Sequence, residues 1–169
     1  KFWKELIIKT SKKYNCTYLS CNLLGNESGK VIYDGHIIAA HNGKLIGENK
    51  RFSFGDYNLY IIDNKNYKKL DYENHYEEFF DAASLALFDY KRKSNCEGFV
   101  LSLSGGLDSS YITAVLRSKL EKKVNTYSIV VDFEKENEEK YQSFVAKKFS
   151  TNHYPVHVSH NDYANLLEK

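Results

Sequence analysis

The chain has 169 residues, 42% of them hydrophobic and 27% charged, and a net charge of +2. That length admits one ordinary domain or two small pieces, with the composition of a folded globular protein. The near-neutral charge speaks against a dedicated nucleic-acid surface, and no apolar run approaches the roughly 18 residues of a membrane span.

The start, Lys1-Phe2-Trp3-Lys4-Glu5-Leu6, carries charges where a signal peptide would need an unbroken apolar stretch. Cys16, Cys21 and Cys96 are an odd number without metal-type spacing, and they read as reduced thiols of a cytoplasmic protein. No Met is present, and a core-packing helix is already under way at residue 2. The expectation is an internal piece of a longer polypeptide.

In chain order, residues 2–13 read as a helix, with Phe2, Trp3, Leu6 and Ile7 at helical spacing and lysines opposite. Short β-like runs follow over 17–21, 35–40, 44–47 and 57–63. Asn42-Gly43, between the second and third, is a pair that favours the positive φ angles of a tight hairpin. Residues 64–74 are polar and aperiodic, and read as a connector. Then strands alternate with helices. Tyr76, Phe79, Phe80, Ala83, Leu87 and Tyr90 form one helical stripe, opened by Glu77 and Glu78 and closed by Lys91-Arg92-Lys93, which suits the helix dipole. A strand over 98–103 is followed by a helix bearing Ile112, Val115, Leu116 and Leu120. A strand over 124–131, a helix with Tyr141, Phe144, Val145 and Phe149, and a strand over 153–158 complete the pattern. This order predicts an α/β fold, a parallel sheet with helices on both faces.

The chemistry sits where the strand over 98–103 meets Ser104-Gly105-Gly106-Leu107-Asp108-Ser109-Ser110. Two glycines permit a sharp turn, and a helix begins at about Asp108. Its free N–H groups and dipole make a concave anion site that glycine lets phosphate approach closely. Ser104, Ser109 and Ser110 add hydroxyls, and Asp108 offers the hard oxygen that Mg²⁺ prefers. A Walker-type loop would need a Lys after its last glycine, and none is here. A loop that grips a phosphate pair without that lysine suits cleavage between the α and β phosphates, with pyrophosphate leaving. The bland alternative is a helix capped by Asp and Ser after a Gly-Gly turn.

The loop resembles that of the PP-loop ATP pyrophosphatase superfamily, which includes NAD, asparagine, GMP and argininosuccinate synthetases. The resemblance implies adenylation of a carboxylate or carbonyl oxygen with ATP and Mg²⁺, then displacement of AMP by nitrogen. It implies ATP-site residues Leu103 to Ser110, Asp108 as metal ligand, and Ser128 and Ile129 on the adenine side.

Two further stretches divide the resemblance. The run from Leu23 to Gly35, with His41 to Leu45 and Asn49 to Phe54, is similar to the end of the nitrilase-type amidase domain fused to glutamine-dependent NAD synthetases. So is the run from Ala86 through Ser94 into the loop. Beyond it, Val124 to Ile129, Asn137 to Tyr141 and Thr151 to Tyr154 look more like asparagine synthetases. A chimera and a divergent synthetase both fit. The longer NAD-synthetase share implies a carbon–nitrogen ligase using ATP, glutamine or ammonia, and nicotinate adenine dinucleotide, or else aspartate. It also implies an amidase remnant over 1–66, a synthetase part over 67–169 and a homo-oligomeric parent, without nucleic-acid or membrane partners. The Glu-Lys-Cys triad of the nitrilase family would lie upstream of residue 1, so no catalytic residue is assigned here and Cys16 and Cys21 are expected to be buried strand thiols.

Sheet residues Ile37, Ile38, Leu45, Ile61 and Ile62 are expected to need cover from a second sheet encoded upstream. His153 and His157 lie four apart on a strand, about 13 Å, too far to share one ion, and with His160 they read as surface residues. Pro155 between them points to an edge strand. The charge run 134–140 reads as a solvated loop and helix start.

Overall fold

The computed structural model describes residues 2–62, 74–120, 123–131, 138–159 and 161. Its chain divides into two compact units, Lys1–Ser94 and Asn95–Lys169.

In the first unit, helix α1 (Phe2–Lys13) lies on an antiparallel sheet of β1 (Thr17–Cys21), β4 (Ile37–His41) and β5 (Lys44–Glu48), in the order β1-β4-β5. The hairpin turn takes positive φ at both Asn42 and Gly43, as the pair predicts. Ile7, Ile38 and Ala40 form the core, with Ile8 and Leu45 against them. The buried stripe of α1 therefore runs through Ile7 and Ser11, while Phe2, Trp3 and Leu6 are exposed, contrary to expectation. Ser11 can be buried because its hydroxyl donates to the Ile8 carbonyl and accepts from the Gly43 N–H.

A hairpin that the sequence pattern does not announce, β2 (Leu24–Glu27) and β3 (Val31–Asp34), turns through Ser28 and Gly29, both at positive φ. Residues 57–62 of the expected fourth strand have no regular structure, and Ile61 is 80% exposed. Asp63 and the connector to residue 73 lie outside the described residues.

Helix α2 (His75–Lys93) starts where the Asn74 carboxamide accepts from the Tyr76 N–H, and it packs on β2 and β3. The compact unit thus takes in α2, beyond the expected division at residue 66. The buried stripe of α2 is Ser84, Leu85 and Asp89. Tyr76, Phe79 and Tyr90 of the expected stripe are exposed, Tyr76 at 84%.

Glu48 is buried, 1% exposed, and pairs with Lys4 at 2.7 Å and with His36 at 3.6 Å. Burial, and to a lesser degree the Arg51 charge, lower the His36 pKa against the opposing pull of Asp34 and Glu48. A histidine held below its ordinary value stays neutral in the fold while the unfolded chain takes up a proton. Its contribution to stability is therefore complete above about pH 6.5 and falls away as pH drops through that value toward the folded pKa. Thermal unfolding between pH 7.5 and 5.5 should show this loss in the wild type and a shallower one in His36→Gln. Equal slopes would refute it.

In the second unit, β6 (Val100–Ser102), β7 (Asn125–Val131) and β8 (Asn152–Val158) form a parallel sheet in the order β6-β7-β8. Helix α3 (Leu107–Val115) runs on into a π-helical turn (Leu116–Leu120), and α4 (Glu139–Lys148) links β7 to β8. The result is a parallel α/β sheet flanked by helices, as the strand–helix order requires. α3 packs on β6, and α4 on β7 and β8. Leu103, Val145 and Ala146 form the core, with Phe149 against it.

Along β7, Thr126, Ser128 and Val130 are buried, while Asn125, Tyr127 and Ile129 are exposed. The exposed residues share a face with Val100 of β6 and with Tyr154 and Val156 of β8, and Tyr127 stacks on Tyr154. β8 is an end strand of this sheet, which suits Pro155. Among the described residues no helix is long and apolar enough to cross a membrane.

Candidate functional site

The loop begins where Leu103, buried in the core, donates its N–H to the Tyr127 carbonyl at 2.7 Å, one residue past the last β6 pair. The chain then reverses. Gly105 takes φ +85°, and a Cβ there would lie 2.9 Å from the Tyr141 Cβ and 3.1 Å from the Gln142 nitrogen. The loop is thus pressed against the first turn of α4, an approach that only glycine allows. The sequence does not announce this contact, because Tyr141 and Gln142 stand more than thirty residues from the loop.

Gly106 is the N-cap of α3, in extended conformation, and no side chain caps the helix. Ser104 takes up only the N–H of Gly106 itself, and neither Asp108 nor a serine accepts from the N–H groups that follow it in the first turn. The serines bond within the loop instead. The Ser104 and Ser109 hydroxyls lie 3.0 Å apart, the Gly106 N–H donates to Ser104 Oγ at 3.2 Å, and Ser109 Oγ donates to the Gly106 carbonyl at 3.3 Å. What remains is the start of a nine-residue helix with its first-turn donors uncapped beside two hydroxyls. That combination suits a phosphate pair.

Asp108 stands exposed in the first turn. Mg²⁺ commonly takes one or two carboxylates and completes its shell with water and substrate phosphates, so this single hard ligand beside an anion site fits the ion. Among the described residues no group of three or more His, Cys, Asp or Glu could hold a metal by itself.

The two candidates on β7 part company. The Ser128 side chain is buried, with its hydroxyl 3.2 Å from His153 Nε2, while Thr126 lies 3.0 Å from His153 Nδ1. This polar network binds β7 to β8 and points away from the loop's exposed side. The Ile129 side chain is 64% exposed on the opposite face. Its backbone is the more informative part. The β6–β7 ladder stops at Ser102 opposite Tyr127, so the next edge groups of β7, those of Ile129, project past the end of β6 beside the loop. Ligands of open α/β sheets bind in this crevice, outside the carboxyl ends of the strands.

His153 and His157 lie on β8 as expected, and His160 lies outside the described residues. Cys21 is exposed and Cys16 half-buried, so neither is the buried thiol anticipated. Neither of these nor the exposed Cys96 forms a disulfide.

Residues 98–169 match the family model for asparagine synthase. The chain is 26% identical over 115 residues to a glutamine-dependent NAD(+) synthetase of Acinetobacter baylyi, covering 66% of this chain and 21% of the relative. It is also 26% identical over 158 residues to a putative glutamine-dependent NAD(+) synthetase of Schizosaccharomyces pombe, covering 66% and 22%. The crystal structure of a glutamine-dependent NAD(+) synthetase from Cytophaga hutchinsonii superposes with a TM-score of 0.77 at 29% identity, over 99% of this chain and 36% of that one. The chain is similar to glutamine-dependent NAD(+) synthetases.

The Acinetobacter baumannii enzyme, solved with adenosine diphosphate, shares the fold, with a TM-score of 0.84 at 19% identity over 98% of this chain and 33% of that one. The chain thus spans about a fifth of the length of the curated NAD(+) synthetases it matches. The match to the asparagine synthase family begins at residue 98, two residues before β6, and takes in the whole loop over 104–110.

Proposed function

We propose that this chain is the ATP-gripping portion of an amide-forming ligase, most consistent with a glutamine-dependent NAD(+) synthetase. The observation that carries the reading is the uncapped start of α3 at Gly106, beside the Gly-Gly turn. Leu103 to Ser110 would receive the β and γ phosphates of ATP, with Asp108 holding Mg²⁺ against them. The edge groups of Ile129 would meet the base.

The chemistry follows from gripping the terminal pair. A carboxylate oxygen of the acceptor attacks the α-phosphorus, a new P–O bond forms, and the bond to pyrophosphate breaks with its electron pair. Ammonia then attacks the activated acyl carbon, AMP departs, and the surplus proton passes to solvent. The loop's donors stabilise the leaving pyrophosphate, whose charge grows as the bond breaks. The resemblance makes nicotinate adenine dinucleotide the acceptor and glutamine the source of ammonia. The asparagine synthase match favours a second reading, with aspartate as acceptor. We assign no glutamine hydrolysis to Cys16 or Cys21. Residues 1–66 read as the end of an amidase domain on sequence resemblance, and a homo-oligomeric cytoplasmic parent belongs to the same reading.

Calorimetric titration of the chain with pyrophosphate and with ATP, each with Mg²⁺, tests the site. Asp108→Ala should remove about 1–3 kcal/mol from the Mg²⁺-dependent part of binding, the worth of a charge-assisted contact. Equal binding by wild type and variant would sink the metal assignment. In the full-length polypeptide, exchange of labelled pyrophosphate into ATP that depends on nicotinate adenine dinucleotide, and not on aspartate, would separate the two acceptors.

A further inference from the structure

The chain has one Asn-Gly pair, Asn42-Gly43, and it forms the two-residue turn between β4 and β5. In such a pair the amide nitrogen of the glycine, unhindered by a side chain, can attack the carboxamide of the asparagine before it. This reaction is one reason that Asn is thermolabile. The Gly43 nitrogen would form a bond to Asn42 Cγ and release its proton to solvent. The carboxamide nitrogen would take up a proton and leave as ammonia. Water then opens the five-membered imide at either carbonyl, which leaves aspartate or the isomer whose backbone runs through Cβ.

The fold holds the reacting atoms apart. Asn42 has a φ of 44° and Gly43 one of 79°, the left-handed pair of a type I′ turn. Ring closure needs the Gly43 nitrogen on the Cβ side of the Asn42 Cα–C bond, and the left-handed conformation turns it to the opposite side. Two hydrogen bonds lock that conformation. The Asn42 N–H donates to the Cys16 carbonyl at 3.3 Å, and the Gly43 N–H, the nucleophile itself, donates to Ser11 Oγ at 2.9 Å. Ser11 is 0% exposed, and its own proton is engaged by the Ile8 carbonyl, so a lone pair faces the turn. Helix α1 lies close against the turn, since a Cβ at Gly43 would stand 3.0 Å from the Lys12 Cβ. Asn42 itself is exposed, so solvent reaches its carboxamide.

We propose that Asn42 is a latent deamidation site and that Ser11 is the latch that keeps it closed. The site opens when the turn lifts from α1 and the Gly43 N–H loses its acceptor. Reaction puts a negative charge at the tip of the hairpin. The isomer also adds a backbone atom to the turn, which sets it out of step with the His41–Lys44 pairing.

Peptide mass spectrometry of the whole chain after incubation follows the change at Asn42. In the wild type, deamidation should be at least about tenfold slower in buffer than in urea that unfolds the chain, because the native turn must first open. Ser11→Ala should quicken it about fivefold in buffer, the effect of one lost hydrogen bond on opening, and leave the rate in urea unchanged. Asp89→Ala loosens the same unit at the β2–β3 hairpin and should stay within about twofold of the wild type, since opening at the turn is local. Equal wild-type rates in buffer and urea, no acceleration in Ser11→Ala, or the same acceleration in Asp89→Ala would each overturn the inference. The wild type alone gives a second measurement, independent of whether Ser11→Ala folds. Amide exchange at Gly43 and deamidation at Asn42 should rise together as urea is added below the unfolding transition. Deamidation that rises without Gly43 exchange would remove the latch.

Discussion

Replacing Gly105 by alanine is expected to abolish pyrophosphate binding and to weaken the second unit. At φ +85° an added Cβ meets its own backbone, at a cost of about 1–2 kcal/mol. The same atom would stand 2.9 Å from the Tyr141 Cβ and 3.1 Å from the Gln142 nitrogen. Neither neighbour can swing aside, because both belong to the body of α4, so loop and helix must separate. That movement shifts Gly106, the N-cap of α3, and with it the donors that would hold the phosphates. Gly98 supplies the control: a Cβ there meets nothing within 4 Å, so Gly98→Ala should bind as the wild type does. Titration with pyrophosphate compares the three proteins. Wild-type affinity in Gly105→Ala would mean that the loop does not need its seat on α4.

Asp89→Ala should be the most damaging single change in the first unit. Asp89 is a buried carboxylate that accepts from the Asn26 N–H at 2.6 Å and pairs with Arg92 at 2.5 Å and Lys93 at 2.8 Å. Lys93 also donates to the Asn26 carbonyl at 2.6 Å, so one acid closes a knot between α2 and the β2–β3 hairpin. Removing it strands the buried Asn26 N–H, while Arg92 keeps Asp56 and Lys93 keeps the Asn26 carbonyl, a loss of about 1–3 kcal/mol. Gly25 reports on the same knot, because a Cβ at its φ of +102° would lie 2.4 Å from the Asp89 carboxylate. Denaturant unfolding followed by the fluorescence of Trp3, the single tryptophan, measures the loss. A change below about 1 kcal/mol would show that the ion pairs, and not the buried N–H, dominate and are screened by water.

Much of this architecture is written in local patterns. The bounds of α1, the hairpin at Asn42-Gly43 and the parallel succession β6 to β8 follow from periodicity and turn chemistry, since each depends on neighbours in the chain. The β2–β3 hairpin did not stand out, because Gly25, Asn26 and Glu27 lack strand character and its turn is Ser28-Gly29. Helical stripes announced α1 and α2 but named the wrong faces. An amphipathic pattern shows that a helix has a side to bury, while tertiary contacts select it. Polar Ser11 and Asp89 won burial through hydrogen bonds that no pattern reveals. The loop over 104–110 stood out as a candidate phosphate site because such a site demands a contiguous run. Its seat on Tyr141 and Gln142 was not, because that contact joins distant segments.

The alternation along β7 has a consequence for how this chain tolerates change. Its inward residues include the small polar Thr126 and Ser128, and its outward ones include Tyr127 and Ile129. A scan of substitutions along 126–129 should swing with a period of two, in the sense opposite to hydrophobicity. Exchanging Ile129 for threonine should be almost silent for folding. Exchanging Thr126 for valine, an isosteric swap that most cores would welcome, should be felt, because His153 and Thr151 would lose the hydroxyl that both address. Ranking positions 126–129 by the greasiness of their side chains would thus invert the order of their importance.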